Sequence, residues 1–236
     1  MSFEPRFFRA LGLSALAAAL LVLVAQLILG SYPRPAGFGS LIELYAQPMV
    51  RVQQVVILVQ VFLMFLGLWG VVAKVHRRSP GAALTALLLL CFWQMFELIP
   101  RSLELFAGSW RYAPAFVSAA DETGRETARV AMRTLLELTN AMGDVRRILW
   151  LLSHLLLAIA LWSTRGWGRW LAILFFANAL RLALGMAGSL LGQPSLGGGL
   201  AGFMVLIVPQ FLMVAAWLWT NPVVEPLSGS ERREES

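Results

Sequence analysis

The chain has 236 residues, 58% of them hydrophobic and 14% charged, with a mean hydropathy of +0.72. A soluble domain of this length cannot hide that much apolar surface, which leaves the polytopic membrane class. A net charge of +6 and a pI near 10.6 would suit nucleic acid, but the basic residues stand at the ends of apolar runs, where they orient membrane helices, so no nucleic-acid partner is implied.

Taken in order, Arg6 and Arg9 precede an apolar run at 11–29. That run is longer than the apolar core of a signal peptide, and it is predicted as a retained first span. The Gly- and Pro-rich stretch 30–47 reads as a loop, with Ile42-Glu43-Leu44-Tyr45 as one turn at the membrane surface. The second span is 49–75, closed by Lys74, His76, Arg77 and Arg78. Pro80 opens a third span from Ala82 to about Phe106, because proline suits a helix start. Pro100 should kink or stop it, leaving 101–106 as a separate turn and 108–120 as a polar connection. Cys91, the single cysteine, lies within this apolar run, which excludes an internal disulfide and a cysteine-based metal cluster.

A long helix is predicted from Asp121 or Thr123 through Trp162. Ala128, Ala131, Leu135, Leu138, Met142, Val145, Leu149 and Leu152 recur at three- and four-residue steps and form one stripe. Glu126, Arg133, Glu137, Asn140, Asp144, Arg147 and His154 form a second on nearly the opposite face. The helix should lie outside the bilayer over 127–144, its apolar stripe covered by protein, and enter it as the fourth span at Ile148. The turn Ser163-Thr164-Arg165-Gly166-Trp167 leads to a fifth span at 167–190. A flexible link at 192–199 leads to a sixth at 200–219, stopped by Asn221-Pro222. The fold class is therefore all-α: a polytopic membrane helix bundle of six transmembrane helices, with a long amphipathic extracytoplasmic helix leading into the fourth. Residues 1–227 form one domain, and 228–236 a charged, disordered tail.

Arg6, Arg9, Lys74, Arg77, Arg78, Arg165, Arg169, Arg232 and Arg233 fall on one side of this arrangement, whereas the short opposite loops hold only Arg34 and Arg51. Both termini are thus expected in the cytoplasm. Trp69, Trp162, Trp167, Trp170, Trp217 and Trp219 mark the same interface, and Trp110 and Trp150 the outer one. Lys74 is the sole lysine, a bias of GC-rich bacterial genomes, which makes a bacterial inner membrane the expected location.

Several polar residues lie inside the spans. Gln94, Glu97, Arg101 and Glu104 share a face of the third helix, and Asn178 and Arg181 a face of the fifth. Gln53, Gln54 and Gln60 lie on the second, His154 on the fourth, and Gln210 beside Pro209 on the sixth. Counted from the cytoplasmic side, Glu97 lies about 24 Å up its helix and Arg181 about 21 Å up its own. The candidate ligand-binding residues are therefore Glu97, Arg101, His154, Asn178, Arg181 and Gln210, gathered in one layer of the outer leaflet. Glu97 and Arg181 are expected to pair, because a lone charge at that depth is costly.

No His-Glu-x-x-His, Gly-x-Ser-x-Gly or glycine-rich phosphate loop is present, and no catalytic residue, metal or cofactor is implied. The preferred reading is a non-enzymatic membrane protein binding a small amphiphile or a partner protein through the polar layer. Membrane lipids are its expected surroundings. The helix 127–144 is the candidate surface for a protein partner or for self-association. A small transporter is the alternative, for which Pro100 and Pro209 interrupt two spans. An intramembrane enzyme with Glu97 and His154 as acid and base is a third.

The run from His154 to Arg181, with Trp162-Ser-Thr-Arg-Gly-Trp167 at its turn, resembles the bacterial membrane family called domain of unknown function 4386. The last helix, Leu206-Ile-Val-Pro-Gln-Phe-Leu-Met-Val-Ala-Ala-Trp-Leu-Trp219, is similar to that of the family. The resemblance covers mainly 144–219 and implies six spans without an assigned activity. The family tends to carry an acidic residue near Pro209-Gln210, and this chain departs from it there.

Overall fold

The computed structural model describes residues 4–33, 35–193 and 199–220, with side chains from 202 in the last segment. Arg34, most of the link 192–199 and the tail 228–236 lie outside the described residues. The elements are α1 (Pro5–Gly30), α2 (Phe38–Ala46), α3 (Pro48–Val75), α4 (Pro80–Leu103), a π-helical segment (Glu104–Tyr112), α5 (Ala113–Ser118), α6 (Glu122–Trp162), α7 (Trp167–Leu190) and α8 (Gly199–Thr220). Among the described residues there is no strand. Six helical stretches are long and apolar enough to cross a membrane: Pro5–Gly30, Pro48–Val75, Pro80–Ser118, Glu122–Trp162, Trp167–Leu190 and Gly202–Thr220.

Local chemistry sets most of the boundaries. Pro48 and Pro80 stand at the first positions of α3 and α4, where the missing N–H would have no partner anyway. Asp121 caps α6, its Oδ1 accepting from the Gly124 N–H at 2.7 Å. Gly166 turns the chain into α7 at a φ of 60°, a conformation that glycine alone adopts without strain.

Two expected loops are helical. Residues 38–46 form the nine-residue α2 rather than a single turn. Pro100 does not stop α4; the chain stays helical to Ser118, passing through nine residues of π-helix after Leu103. Proline removes one N–H from the ladder, and a wider turn is one way for a helix to continue past such a defect. Burial, which periodicity does not report in so short a stretch, holds both segments in place.

The chain divides into two compact units, and α1, α3, α4 and α6 each contribute to both. In the unit formed by 17–63 and 90–150, the core cluster is Ile42, Ala113, Phe116, Ala128, Met132 and Leu135, with Phe38, Tyr45 and Tyr112 packed against it. Full burial of side chains such as Ile42 and Met132 is worth about 1.5–3 kcal/mol each, and this explains why α2 and α5 form at all. The inward face of α6 here is Ala128, Met132, Leu135, Thr139 and Trp150. It departs from the predicted stripe: Leu138, Val145 and Leu152 are exposed. The true face follows a slightly different drift and admits Thr139 and Gly143, which an apolar-only count skips.

In the unit formed by 1–16, 64–89 and 151–236, α1 and α3 approach closely. A Cβ built on Gly67 would lie 2.9 Å from the Ala15 Cβ, so only glycine fits. Trp219 Nε1 donates to the Arg9 carbonyl at 2.9 Å. The buried Lys74 Nζ donates to the Trp217 carbonyl at 2.9 Å and lies 4.1 Å from the centre of that ring. It thereby neutralises the carbonyl-rich end of α8.

Candidate functional site

In the unit of 17–63 and 90–150, α4 presents Gln94, Glu97 and Arg101 at three- and four-residue steps, and the π-helical segment adds Glu104. Glu97 Oε1 accepts from Arg101 Nε at 3.2 Å and from Arg146 Nη1 at 3.0 Å, and Oε2 lies 2.9 Å from the same Arg146 nitrogen. Arg101 Nη1 donates to Glu104 Oε2 at 3.1 Å. Two carboxylates thus meet two guanidinium groups, and the network is neutral in sum. Beside it, Ser109 Oγ donates to Gln54 Oε1 at 2.8 Å, and Gln53 Nε2 to the Ala25 carbonyl at 3.0 Å. The rings of Trp93 and Trp150 pack with centres 4.1 Å apart, tilted by 41°. On α2, burial pushes the Tyr45 phenol above its ordinary pKa; Glu104 adds to the shift and Arg101 opposes it.

Gln94 is the exception. The residue is 9% exposed, and neither Oε1 nor Nε2 has a hydrogen-bond partner among the described residues. Leaving a buried amide atom unpaired costs about 1–3 kcal/mol. One turn from a saturated ion network, this amide retains both a donor and an acceptor for something else.

In the other unit, α6, α7 and α8 build a hydrogen-bonded chain. Arg181 Nε donates to Asn178 Oδ1 at 3.1 Å, Asn178 Nδ2 to Gln210 Oε1 at 3.2 Å, and Gln210 Nε2 lies 2.9 Å from His154 Nε2. Since the Gln210 oxygen is already accepting, its amide nitrogen is the donor, and the ring must accept through a bare Nε2. This requires a neutral His154 with its proton on Nδ1. His154, Asn178 and Gln210 are all fully buried, and Phe175 packs on the imidazole with ring centres 5.0 Å apart. Every donor in the chain points away from Arg181.

Within its own unit each of the two residues expected to pair has other neighbours: Glu97 meets Arg101 and Arg146, and Arg181 meets Asn178 and, at 5.6 Å, the Phe203 ring. Of the candidates, Glu97 and Arg101 belong to one network and His154, Asn178, Arg181 and Gln210 to another. Sequence reasoning misses Arg146 because it falls in the mixed-charge half of α6, which reads as a solvated face. The signal is present nonetheless: Arg146 stands four residues before Trp150, along the buried face. Among the described residues no group of three or more His, Cys, Asp or Glu side chains could hold a metal.

Comparison of the chain with protein-family models, with curated proteins and with solved structures found no match.

Proposed function

We propose that this chain is a multi-pass protein of a bacterial inner membrane that binds a small amphiphile at a polar site within its spans and catalyses no reaction. Six apolar helices support the membrane reading, and the arginine and tryptophan distributions favour cytoplasmic termini. The resemblance of 144–219 to domain of unknown function 4386 points to the same architecture. On this reading the first half of α6 is an extracytoplasmic amphipathic helix.

The observation that carries the binding role is the unsatisfied Gln94 amide beside a balanced ion network. A neutral network does not call for a charged ligand. An uncharged head with a hydroxyl or amide would supply the missing donor and acceptor. Native mass spectrometry of the full chain, released from a mild uncharged detergent, tests this. The wild type should retain an uncharged amphiphile and Gln94→Leu should lose it; equal retention by both overturns the proposal.

A protein partner is favoured by a separate observation. Leu138, Val145 and Leu152 are exposed at seven-residue steps on α6, and the first two belong to its proposed extracytoplasmic half or its border. Self-association through that stripe would bring Leu138 of two copies together. Leu138→Cys should then form an oxidised dimer, while Glu137→Cys should not.

A further inference from the structure

We infer that Arg181 is the receiving group of a second site, which takes an oxyanion, a phosphate or carboxylate, borne on an amphiphile. The inference rests on the membrane reading but not on the Gln94 site. Between Asp144 and Glu225 the sequence contains neither aspartate nor glutamate. The spanning part of α6, all of α7 and all of α8 therefore offer Arg181 no counter-ion. Its position is about 14 Å from the end of α7 at Leu190 and about 21 Å from the start at Trp167, well within an apolar span.

The side chain is nonetheless held in place. Nε is used by Asn178, Phe203 stacks on the guanidinium, and neither Nη nitrogen has a hydrogen-bond partner among the described residues. Asn178 is fixed in turn by Gln210, and Gln210 by His154, all three fully buried. The chain orients the guanidinium from behind and leaves its outer donors presented. Two parallel N–H donors on a planar cation match the two oxygens of a carboxylate or phosphate, and such charge-assisted pairs are the strong ones in a dry setting. Arg181 is half-buried, so its side chain is not sealed inside the bundle. A free anion would have to cross apolar surface to reach it, which favours an anion that carries its own tail.

The experiment uses the full chain in an uncharged detergent with three probes: laurate, inorganic phosphate, and methyl laurate, whose head is neither an anion nor a hydrogen-bond donor. Native mass spectrometry reads the adducts. Laurate should be retained at least about ten-fold over methyl laurate, and Arg181→Gln should abolish that preference. Adducts of inorganic phosphate that vanish in Arg181→Gln would support the oxyanion site and identify its source as a free anion. Equal retention of laurate and methyl laurate by the wild type, or a preference that survives Arg181→Gln, overturns the inference. Should Arg181→Gln fail to fold, a photoreactive phosphatidylglycerol on the wild type decides: labelling of the peptides bearing Arg181 or Phe203 supports the site, and labelling only elsewhere overturns it.

Discussion

In the Glu97 network two acids face two arginines, whereas the chain from His154 to Arg181 contains one cation and no acid. Both occupy helices apolar enough to span a membrane, where an isolated charge costs about 2.5–3.5 kcal/mol even on lenient scales. The first set removes that cost internally, and its ions become cross-ties between α4 and α6. The second orders a cation through neutral amides and an imidazole, which fix its direction and do nothing for its charge. The closed network ties helices together, and the open one is where we propose an anionic partner binds.

The comparison breaks most visibly at Arg146. Arg146→Ala leaves Glu97 with Arg101 alone, and losing one member of a buried pair typically costs about 3–5 kcal/mol. Because Arg101 remains and the Arg146 side chain is 23% exposed, the lower end, about 3 kcal/mol, is expected. Thermal unfolding in detergent should show a fall in Tm larger than that of Arg181→Leu in the open chain. Arg181→Leu removes only the partner of Asn178 Oδ1, an expected loss of about 1–3 kcal/mol by the same measurement. A greater loss for Arg181→Leu than for Arg146→Ala would reverse the assignment of roles.

A double-mutant cycle sharpens the contrast further. Glu97→Gln combined with Arg146→Gln should couple by about 0.5–3 kcal/mol, because the two groups touch. Glu97→Gln combined with Arg181→Gln should be additive within about 0.5 kcal/mol, because each has its own partners. Coupling in the second cycle would restore the pairing that depth alone suggested.

That pairing shows where sequence reasoning ran out. The spans were legible because they rest on long-range sums: 49–75 anticipates Pro48–Val75, and 167–190 coincides with Trp167–Leu190. The polar residues were legible as a set, because charge inside an apolar run stands out on its own. Their partnership was not, since depth is one coordinate and pairing needs the rotation of each helix as well. Leu138 and Thr139 illustrate the gap: adjacent in sequence, one is exposed and the other buried, and the apolar member is the exposed one. The packing of α2 and α5 was hidden for another reason, since short helices draw their stability from a core that only the fold assembles.

The smallest expected effect concerns the edge of the closed network. Tyr45 packs against the cluster around Ile42, and burial together with the nearby Glu104 carboxylate raises its phenol above the ordinary value of 10.0. In the unfolded chain that phenol titrates normally, so above pH 10 unfolding releases a proton. The stability held by the protonated phenol is complete below the unfolded value and is lost as pH rises beyond it. Tyr45→Phe cannot ionise and lacks this loss. At neutral pH the two proteins should melt within a degree or two of each other. When pH is raised from 8 to about 11 the wild type should lose more Tm than Tyr45→Phe, although every other alkaline titration is common to both. Parallel alkaline curves for wild type and Tyr45→Phe would place the phenol in water, away from Glu104, and would loosen the link between α2 and the network.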